Sequence, residues 1–302
     1  MAVSNKNVWN YAGLHLAILS WGAAGVTSKL MTTDPAGIVV YRSIIAAIVL
    51  GLFCSLTRKG KGVSKRDQAY MIATGAMIGL HWWGFFAAIK VSTVSIALVC
   101  ISSAPIFVAL LQPIVEKTAL KPSQILLGII SVAGIGIMFN FEYEHRLGIA
   151  IGLAAGAIDA VYSIMTSRTR ETISNVYVTQ MHMIGAFAVV MLISTAVDPS
   201  MNWLALETRT DYIGILFLGL VCSAIAMSLY VISIKQLSAF TATLSLNLEA
   251  VYGMIIALAV FGASEHMSPG FYIGAIMLVG SVVADAMLSS LNARKQVIEE
   301  MA

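Results

Sequence analysis

Long apolar runs follow one another along almost the whole chain, and short polar stretches separate them. A helix needs about 20 apolar residues to cross a membrane, and ten runs have roughly this length. They cover residues 9–30, 35–56, 69–89, 94–115, 123–141, 147–165, 176–197, 212–234, 239–262 and 271–291. This pattern predicts an all-α polytopic membrane protein with ten transmembrane helices.

The second half of the chain repeats the first. Corresponding residues lie 145 or 146 positions apart: Ile89-Lys90 and Ile234-Lys235, Ala97 and Ala242, Phe107 and Tyr252, Gly128 and Gly274, Gly134 and Gly280. Each copy contains five apolar runs, and because five is odd, the second copy must cross the membrane in the opposite sense. Inverted repeats of this kind are typical of secondary transporters. We therefore divide the chain into two five-helix repeats, 1–141 and 147–291, and a cytoplasmic C-terminal tail, 292–302.

The composition excludes most soluble classes of protein. Hydrophobic residues make up 59% of the chain and charged residues 11%, whereas soluble domains carry roughly 25% charged residues. A formal net charge of +3 is too small to indicate nucleic-acid binding. The three cysteines lie singly in different runs, and the histidines have no ligand spacing, so we expect neither a metal site nor a cofactor.

The positions of lysine and arginine predict the orientation in the membrane. When the basic loop 57–67 is placed in the cytoplasm, thirteen of the 18 lysine and arginine residues lie inside and five lie outside. Cytoplasmic loops usually carry such an excess. Both termini are therefore expected in the cytoplasm. Lys90 and its counterpart Lys235 then fall on opposite sides, as an inverted repeat requires.

Glu249 is the most informative polar residue, because an ionisable side chain at mid-membrane is costly and usually faces a cavity or a partner. Thr241, Ser245, Glu249 and Tyr252 follow i, i+4, i+8, i+11 spacing, which places them on one face of the ninth helix. This polar stripe indicates a cavity wall. The alternative is that Glu249 is a protonated carboxyl group that joins two helices.

The third run contains an unusual group of aromatic residues near its centre, His81, Trp82 and Trp83. Tryptophan normally lies at the membrane interface, so aromatic rings at this depth could form a binding cup, joined by Trp21 from the first run. Facing Glu249, such rings would favour an organic cation or an aromatic substrate. Plain packing in the helix bundle is the alternative interpretation.

Arg42 and His182 lie about two turns inside the second and seventh runs, on opposite sides of the membrane centre. Either could attract a substrate carboxylate, extend toward the lipid headgroups or pair with an acid such as Asp159. Asp159 lies near the centre of the sixth run and is a further candidate for the binding site.

The passage 87–138 resembles an EamA-type repeat of the drug/metabolite transporter superfamily. The resemblance is carried by Ile89-Lys90, Ser95-Ile96-Ala97-Leu98, Pro105, Glu116, Gly128 and Gly134, and in the second half by Asn247-Leu248-Glu249-Ala250-Val251-Tyr252-Gly253 and Phe271-Tyr272-Ile273-Gly274. It covers essentially the whole chain. The family commonly has Glu-Pro where this chain has Glu249-Ala250, which leaves Pro105 as the only helix breaker of the symmetric pair.

The resemblance implies a central cavity between the two repeats, alternating access, and export or exchange of amino acids or amino-acid-derived cations. Glu249 would bind an ammonium group or exchange a proton, and Arg42 or Tyr41 would meet a carboxylate. The candidate substrate-binding residues are Glu249, Tyr252, Ser245, Thr241, Asn247, His81, Trp82, Trp83, Trp21, Tyr41, Arg42 and Asp159.

The expected partners are a small-molecule substrate, the lipid bilayer and protons as a candidate coupling ion. A monomer is expected to suffice for transport, because one chain contains both repeats, and the family implies the bacterial inner membrane. Transport of nucleobases, nucleotide-sugars or phosphorylated metabolites is the nearest alternative. A membrane scaffold without transport activity would leave the mid-membrane charges unexplained. An intramembrane enzyme is the least favoured, because no H-E-x-x-H, G-x-S-x-G or phosphate-binding loop is present.

Overall fold

The computed structural model describes residues 5–117, 122–236 and 248–301. Within these ranges the chain is all-helical, which confirms the predicted fold class. The helices are α1 (Asn5–Leu30), α2 (Pro35–Leu56), α3 (Lys65–Val91), α4 (Val94–Ile101), α5 (Ala104–Glu116), α6 (Pro122–Phe141), α7 (Arg146–Ser167), α8 (Asn175–Val197), α9 (Arg209–Leu216), α10 (Ala226–Gln236), α11 (Leu248–Phe261) and α12 (Pro269–Met301).

Local capping explains several helix boundaries. Helix α2 begins where the sequence predicts, because Pro35 occupies the first helical position and the Asp34 carboxylate accepts a hydrogen bond of 2.8 Å from the Ala36 amide. Helix α3 begins after Ser64, whose hydroxyl accepts from the Asp67 amide. Helix α12 continues through residues 292–301, which the sequence analysis assigns to the tail.

The fourth predicted span, 94–115, is broken rather than continuous. Helix α4 ends at Ile101, and α5 starts at Ala104 with Pro105 in its first turn. Proline has no amide hydrogen to donate, so Pro105 fits the first turn of α5; the same helix also accommodates Pro113 in its interior. The hydroxyl groups of Ser102 and Ser103 donate to the carbonyls of Leu98 and Cys100, at 2.9 and 2.6 Å, so both hydroxyl groups are satisfied within the last turn of α4.

The eighth predicted span, 212–234, is helical throughout but changes its winding. Between α9 and α10 the residues Phe217–Ile225 form a π-helix. Inside this segment the Ser223 hydroxyl donates to the carbonyl of Leu218, five residues earlier, at 2.8 Å. Such wider turns are rare and often lie at functional sites. Of the ninth predicted span, 239–262, the described part begins at Leu248.

Length and hydropathy identify this protein as an integral membrane protein. Among the described residues, seven helical segments of at least 18 residues are apolar enough to cross a membrane, and two shorter apolar helices lie at 126–138 and 269–281. Apart from the break at Ser102 and Ser103, each of the ten predicted runs coincides with helix wherever the structure describes it.

Helices from the two halves of the chain pack directly against each other. Helix α3 packs against α7 and α8, α2 packs against α8, and α1 packs against α10 and α11. Glycine allows the closest of these contacts: a Cβ atom on Gly75 would lie 2.2 Å from the His182 carbonyl oxygen, and one on Gly185 would lie 2.0 Å from that of Ile72. The α3–α8 crossing therefore depends on the absence of side chains at these two positions.

We expect Gly75→Ala and Gly185→Ala to destabilise the protein by about 1–3 kcal/mol, because the new methyl group must push two helix backbones apart. The measurement is the fraction of purified protein that stays monodisperse in detergent after heating. Gly128→Ala is the matched control, since a Cβ atom at Gly128 in α6 meets no described atom within 4 Å. Equal behaviour of the three variants would contradict the proposed role of the crossing.

Candidate functional site

A cavity of about 190 Å³ lies between helices of both halves of the chain. Helices α1, α2, α3, α4, α5, α7, α10 and α11 all contribute to its wall. Its polar and aromatic lining residues are Trp21, Arg42, His81, Trp82, Phe85, Ser102, Gln112, Asp159, Tyr162, Ser163, Ser167, Tyr230 and Glu249. Six of the predicted substrate-binding residues are in this set. The first, second and sixth spans therefore contribute to the wall as well as the third, fourth, eighth and ninth.

The close packing of α1 on α11 places Glu249 beside the aromatic residues of the cavity. A Cβ atom on Gly22 would lie 2.9 Å from the Gly253 amide nitrogen and 3.2 Å from the Glu249 carbonyl oxygen. Only glycine permits this approach. Glu249, in the first turn of the described part of α11, therefore lies near Trp21, the neighbour of Gly22.

Arg42 is buried, with 2% of its surface exposed. Its Nε donates a 2.8 Å hydrogen bond to the Ser223 hydroxyl, in the π-helical segment. The guanidinium carbon lies 3.9 Å from the ring centroid of Trp82 and 5.5 Å from that of Phe86. Among the described residues, Nη2 has no hydrogen-bond partner. The guanidinium thus retains an unused donor inside the bundle.

His81 and Asp159 lie on facing helices, α3 and α7. The Nδ1 atom of His81 lies 3.0 Å from the carbonyl oxygen of Ala155, one turn before Asp159. A carbonyl oxygen can only accept, so Nδ1 carries the proton. A Cβ atom on Gly156 would lie 2.8 Å from the Ser103 hydroxyl, so α7 packs closely at the break between α4 and α5.

Trp21 is held in place by the π-helical segment. Its indole Nε1 donates a hydrogen bond of 2.9 Å to the Cys222 carbonyl oxygen. Its ring packs edge-on against Tyr230 at a centroid distance of 5.4 Å. Tyr230 is not among the predicted binding residues. The repeat contains a signal for it, because Tyr230 stands 145 positions after Phe85, and both line the cavity.

Three predicted residues lie outside the cavity wall. The Tyr41 hydroxyl donates a hydrogen bond of 3.0 Å to the Leu204 carbonyl oxygen, and the Tyr252 hydroxyl lies 3.4 Å from His15 Nδ1. Trp83 packs against the main hydrophobic core. The predicted residues Thr241, Ser245 and Asn247 fall in 237–247, outside the described residues. The polar stripe of the ninth helix is therefore represented by Glu249 and Tyr252.

His182, the symmetric counterpart of Arg42, is also not among the residues that line the cavity. It is fully buried, with Nδ1 3.3 Å from the Tyr162 hydroxyl. Within the described part of the chain, neither basic residue forms an ion pair with Asp159 within 4.0 Å. The predicted alternative of an ion pair with Asp159 is thus not formed in this structure.

One end of the bundle, here called the Glu265 end, is tied together by a buried carboxylate. Glu265 Oε1 lies 2.6 Å from Lys29 Nζ at the end of α1. The same carboxylate accepts hydrogen bonds from the amides of Val94 and Ser95 and from the Ser95 hydroxyl, at 2.8 to 3.1 Å. It caps α4 and links it to α1 and to the turn before α12.

Asp211 makes a second connection at the Glu265 end. Its carboxylate accepts from the amide and hydroxyl of Thr32, both at 2.7 Å, and from the amide of Thr208 at 2.8 Å. These bonds join the α1–α2 turn to the start of α9. The cavity extends toward the opposite end, where Gln112 lies in α5 and Ser167 ends α7.

Comparison with known proteins identifies the family. The sequence pattern of the EamA-like transporter family matches residues 9–140 and again residues 146–284. The chain belongs to the EamA-like transporter family. Like the rest of this family, it is part of the drug/metabolite transporter superfamily and is a membrane transporter with ten helices in two repeats.

A protein of Bacillus subtilis (strain 168) described as "Uncharacterized transporter YwfM" is 24% identical to this EamA-like transporter over 285 residues. The aligned region covers 90% of this chain and 92% of that protein. A solved crystal structure aligns with a TM-score of 0.62 at 18% identity, covering 93% of this chain and 98% of the other. At this identity the second match shows the fold alone.

We expect Glu265→Gln to lower the stability of the transporter by about 2–4 kcal/mol, because Lys29 loses its buried counter-charge. The melting temperature in detergent should fall by roughly 5 °C or more. Glu144→Gln removes an exposed carboxylate from the 3₁₀ turn before α7 and serves as the control. If the Glu265→Gln protein has the same melting temperature as the wild type, the ion pair contributes little to stability.

Proposed function

We propose that this EamA-like transporter is a secondary transporter that works by alternating access and exports or exchanges amino acids or amino-acid-derived cations. The observation that carries the proposal is the cavity, where two carboxylates, a guanidinium and several aromatic rings meet at membrane depth. Charged groups are costly there, and they persist where they serve a cavity or a partner.

The chemistry of the wall supports the proposed cargo class. Glu249 and Asp159 supply negative charge, and Trp21 and Tyr230 supply aromatic rings. Carboxylates and aromatic faces both attract an organic ammonium group. We assign the ammonium group of the cargo to Glu249. The same carboxylates could exchange protons with the aqueous phase, so we propose protons as the coupling ion.

The cargo could also be anionic, such as a phosphorylated metabolite or a nucleotide-sugar. Such cargo would favour several basic side chains in the cavity. Among the described lining residues Arg42 is the only arginine or lysine. Two acidic side chains in the same wall further disfavour a dianion.

Alternating access is supported by the contrast between the two ends of the bundle. Glu265 and Asp211 join helices from both halves of the chain at one end, whereas the cavity extends toward Ser167 at the other. With the termini in the cytoplasm of a bacterial cell, the closed Glu265 end would face outward. A substrate would then reach the cavity from the cytoplasm, in the direction of export.

We expect amino acids or amines to stabilise the purified protein against heat, by up to about 2.7 kcal/mol at a concentration one hundred times the dissociation constant. Thermal unfolding is measured against amino acids, amines, nucleosides, sugars and phosphorylated metabolites. Glu249→Gln should abolish the stabilisation, because the neutral amide cannot pair with an ammonium group. The control Glu144→Gln should behave as the wild type.

Each remaining outcome of this panel contradicts a different part of the proposal. Stabilisation that survives Glu249→Gln would remove that residue from the binding site. Stabilisation by phosphorylated compounds alone would replace the amino-acid cargo with an anionic one. Stabilisation by none of the compounds would favour a membrane protein without a transported substrate of these classes.

We expect permanent closure of the Glu265 end to stop transport. In a Lys29→Cys, Glu265→Cys protein reconstituted in vesicles, a short cross-linker with two methanethiosulfonate groups should abolish uptake of the compound found above. Reduction of the cross-link should restore it, because alternating access requires this end to open. The single variants, treated in the same way, are the controls. Unchanged transport by the cross-linked protein would contradict alternating access through this end.

A further inference from the structure

We propose that Arg42 is the carboxylate-binding residue of the cavity, positioned by Ser223 and Trp82, and that it makes the transporter prefer zwitterionic cargo to the corresponding amines. This inference rests on the proposed function, which assigns the ammonium group to Glu249. It adds the second charge of the cargo and the residues that recognise it.

The first observation is an unused hydrogen-bond donor in a buried, positively charged side chain. Arg42 is 2% exposed and lines the cavity, and its Nη2 has no partner among the described residues. A buried donor without an acceptor costs free energy, about 1–3 kcal/mol and more for a charged group. A bound carboxylate would remove this cost. Tyr41, the other residue predicted to meet a carboxylate, bonds to Leu204 and does not line the cavity.

The second observation is the direction from which Arg42 can be approached. Trp82 covers the guanidinium at 3.9 Å, and Ser223 occupies its Nε. What remains is the outer edge of the guanidinium, which includes the unpaired Nη2. A planar carboxylate can accept two parallel hydrogen bonds from this edge. The arrangement therefore suits one carboxylate group bound in the plane of the guanidinium.

The third observation is that Ser223 has a fixed orientation. Its hydroxyl donates to the Leu218 carbonyl at 2.8 Å, so its lone pairs are left to accept from Arg42 Nε, also at 2.8 Å. Leu218 and Ser223 both belong to the π-helical segment Phe217–Ile225. This irregular turn places an acceptor beside Arg42, and Ser223 is thus a positioning residue that acts through the guanidinium.

The charges in the wall agree with a zwitterion. Glu249 and Asp159 line the same cavity as Arg42, and no described acid lies within ion-pair distance of the guanidinium. A molecule that carries both an ammonium and a carboxylate group complements both charges of the wall. A simple amine leaves the arginine unpaired, and a simple carboxylate leaves the acids unpaired.

The test compares amino acids with their decarboxylated amines: L-leucine with isoamylamine, L-phenylalanine with 2-phenylethylamine, and L-lysine with cadaverine. Affinities are measured on the purified, full-length protein by calorimetry or thermal shift. For the pair that binds, we expect the wild type to bind the amino acid at least about tenfold more tightly than the amine, because a charge-assisted hydrogen bond is lost with the carboxylate.

Arg42→Gln should weaken binding of the amino acid by about 10- to 100-fold, while binding of the amine stays the same or becomes tighter. The amine gains because a positive charge leaves the cavity. Arg42→Lys keeps the charge but loses the planar edge, so it should recover only part of the preference. Ser223→Ala should weaken binding of the amino acid by about 3- to 10-fold. In the Arg42→Gln background it should have no further effect on binding. Arg209→Gln, at the exposed start of α9, is the control.

The outcomes separate this inference from the proposed function. Equal losses for the amino acid and its amine in Arg42→Gln would mean that Arg42 is structural, and they would overturn the inference. Equal affinities of the wild type for both compounds would overturn it as well. The proposed function as a transporter of amino acids or amines would then still stand. If no compound of any pair binds, the proposed cargo class fails and the zwitterion preference fails with it. Arg42→Lys and Ser223→Ala retain a test if Arg42→Gln does not fold.

Discussion

Ionisable side chains at membrane depth impose the strongest constraint on this bundle, because the bilayer interior offers no water to solvate them. The chain meets this constraint in two ways. At the Glu265 end, carboxylates are fully paired with lysine, hydroxyl groups and helix N-termini, and they close the structure. In the middle, Glu249, Asp159 and Arg42 face a common cavity. The difference between paired and cavity-facing charges separates the parts that hold the bundle from the part that receives cargo.

The cavity exists because the surrounding helices are irregular where they border it. The break between α4 and α5 lies at its wall, and the π-helical segment before α10 and the glycine contact between α1 and α11 position residues of the wall. The π-helical segment presents polar groups to neighbouring helices, and the glycine contact lets two helix backbones approach each other. The Cys222 carbonyl and the Ser223 hydroxyl orient Trp21 and Arg42 in this way. Backbone geometry and binding chemistry are therefore coupled at the same residues.

The predicted site residues divide according to the physical basis of each prediction. Glu249, Asp159 and Arg42 could be selected from the sequence because their burial in a membrane requires a reason. Trp21, Trp82 and His81 were selected by depth and also line the cavity. Depth alone does not specify which way a side chain points, so it also selected Tyr41, Trp83 and Tyr252, which lie elsewhere. Tyr230 was missed because a tyrosine costs little in an apolar helix.

The sequence by itself determined the all-helical membrane fold, the ten spans, the repeat and the family, because hydrophobic length and a 145-residue offset are properties of the chain alone. Only the tertiary structure decided which polar groups meet. Arg42 pairs with Ser223 rather than Asp159, and Glu265 joins Lys29 to Ser95, through contacts between residues far apart in sequence. Such contacts depend on helix crossings and on local breaks in helices, which periodicity does not encode. The division between closing charges and cavity charges therefore arises from packing.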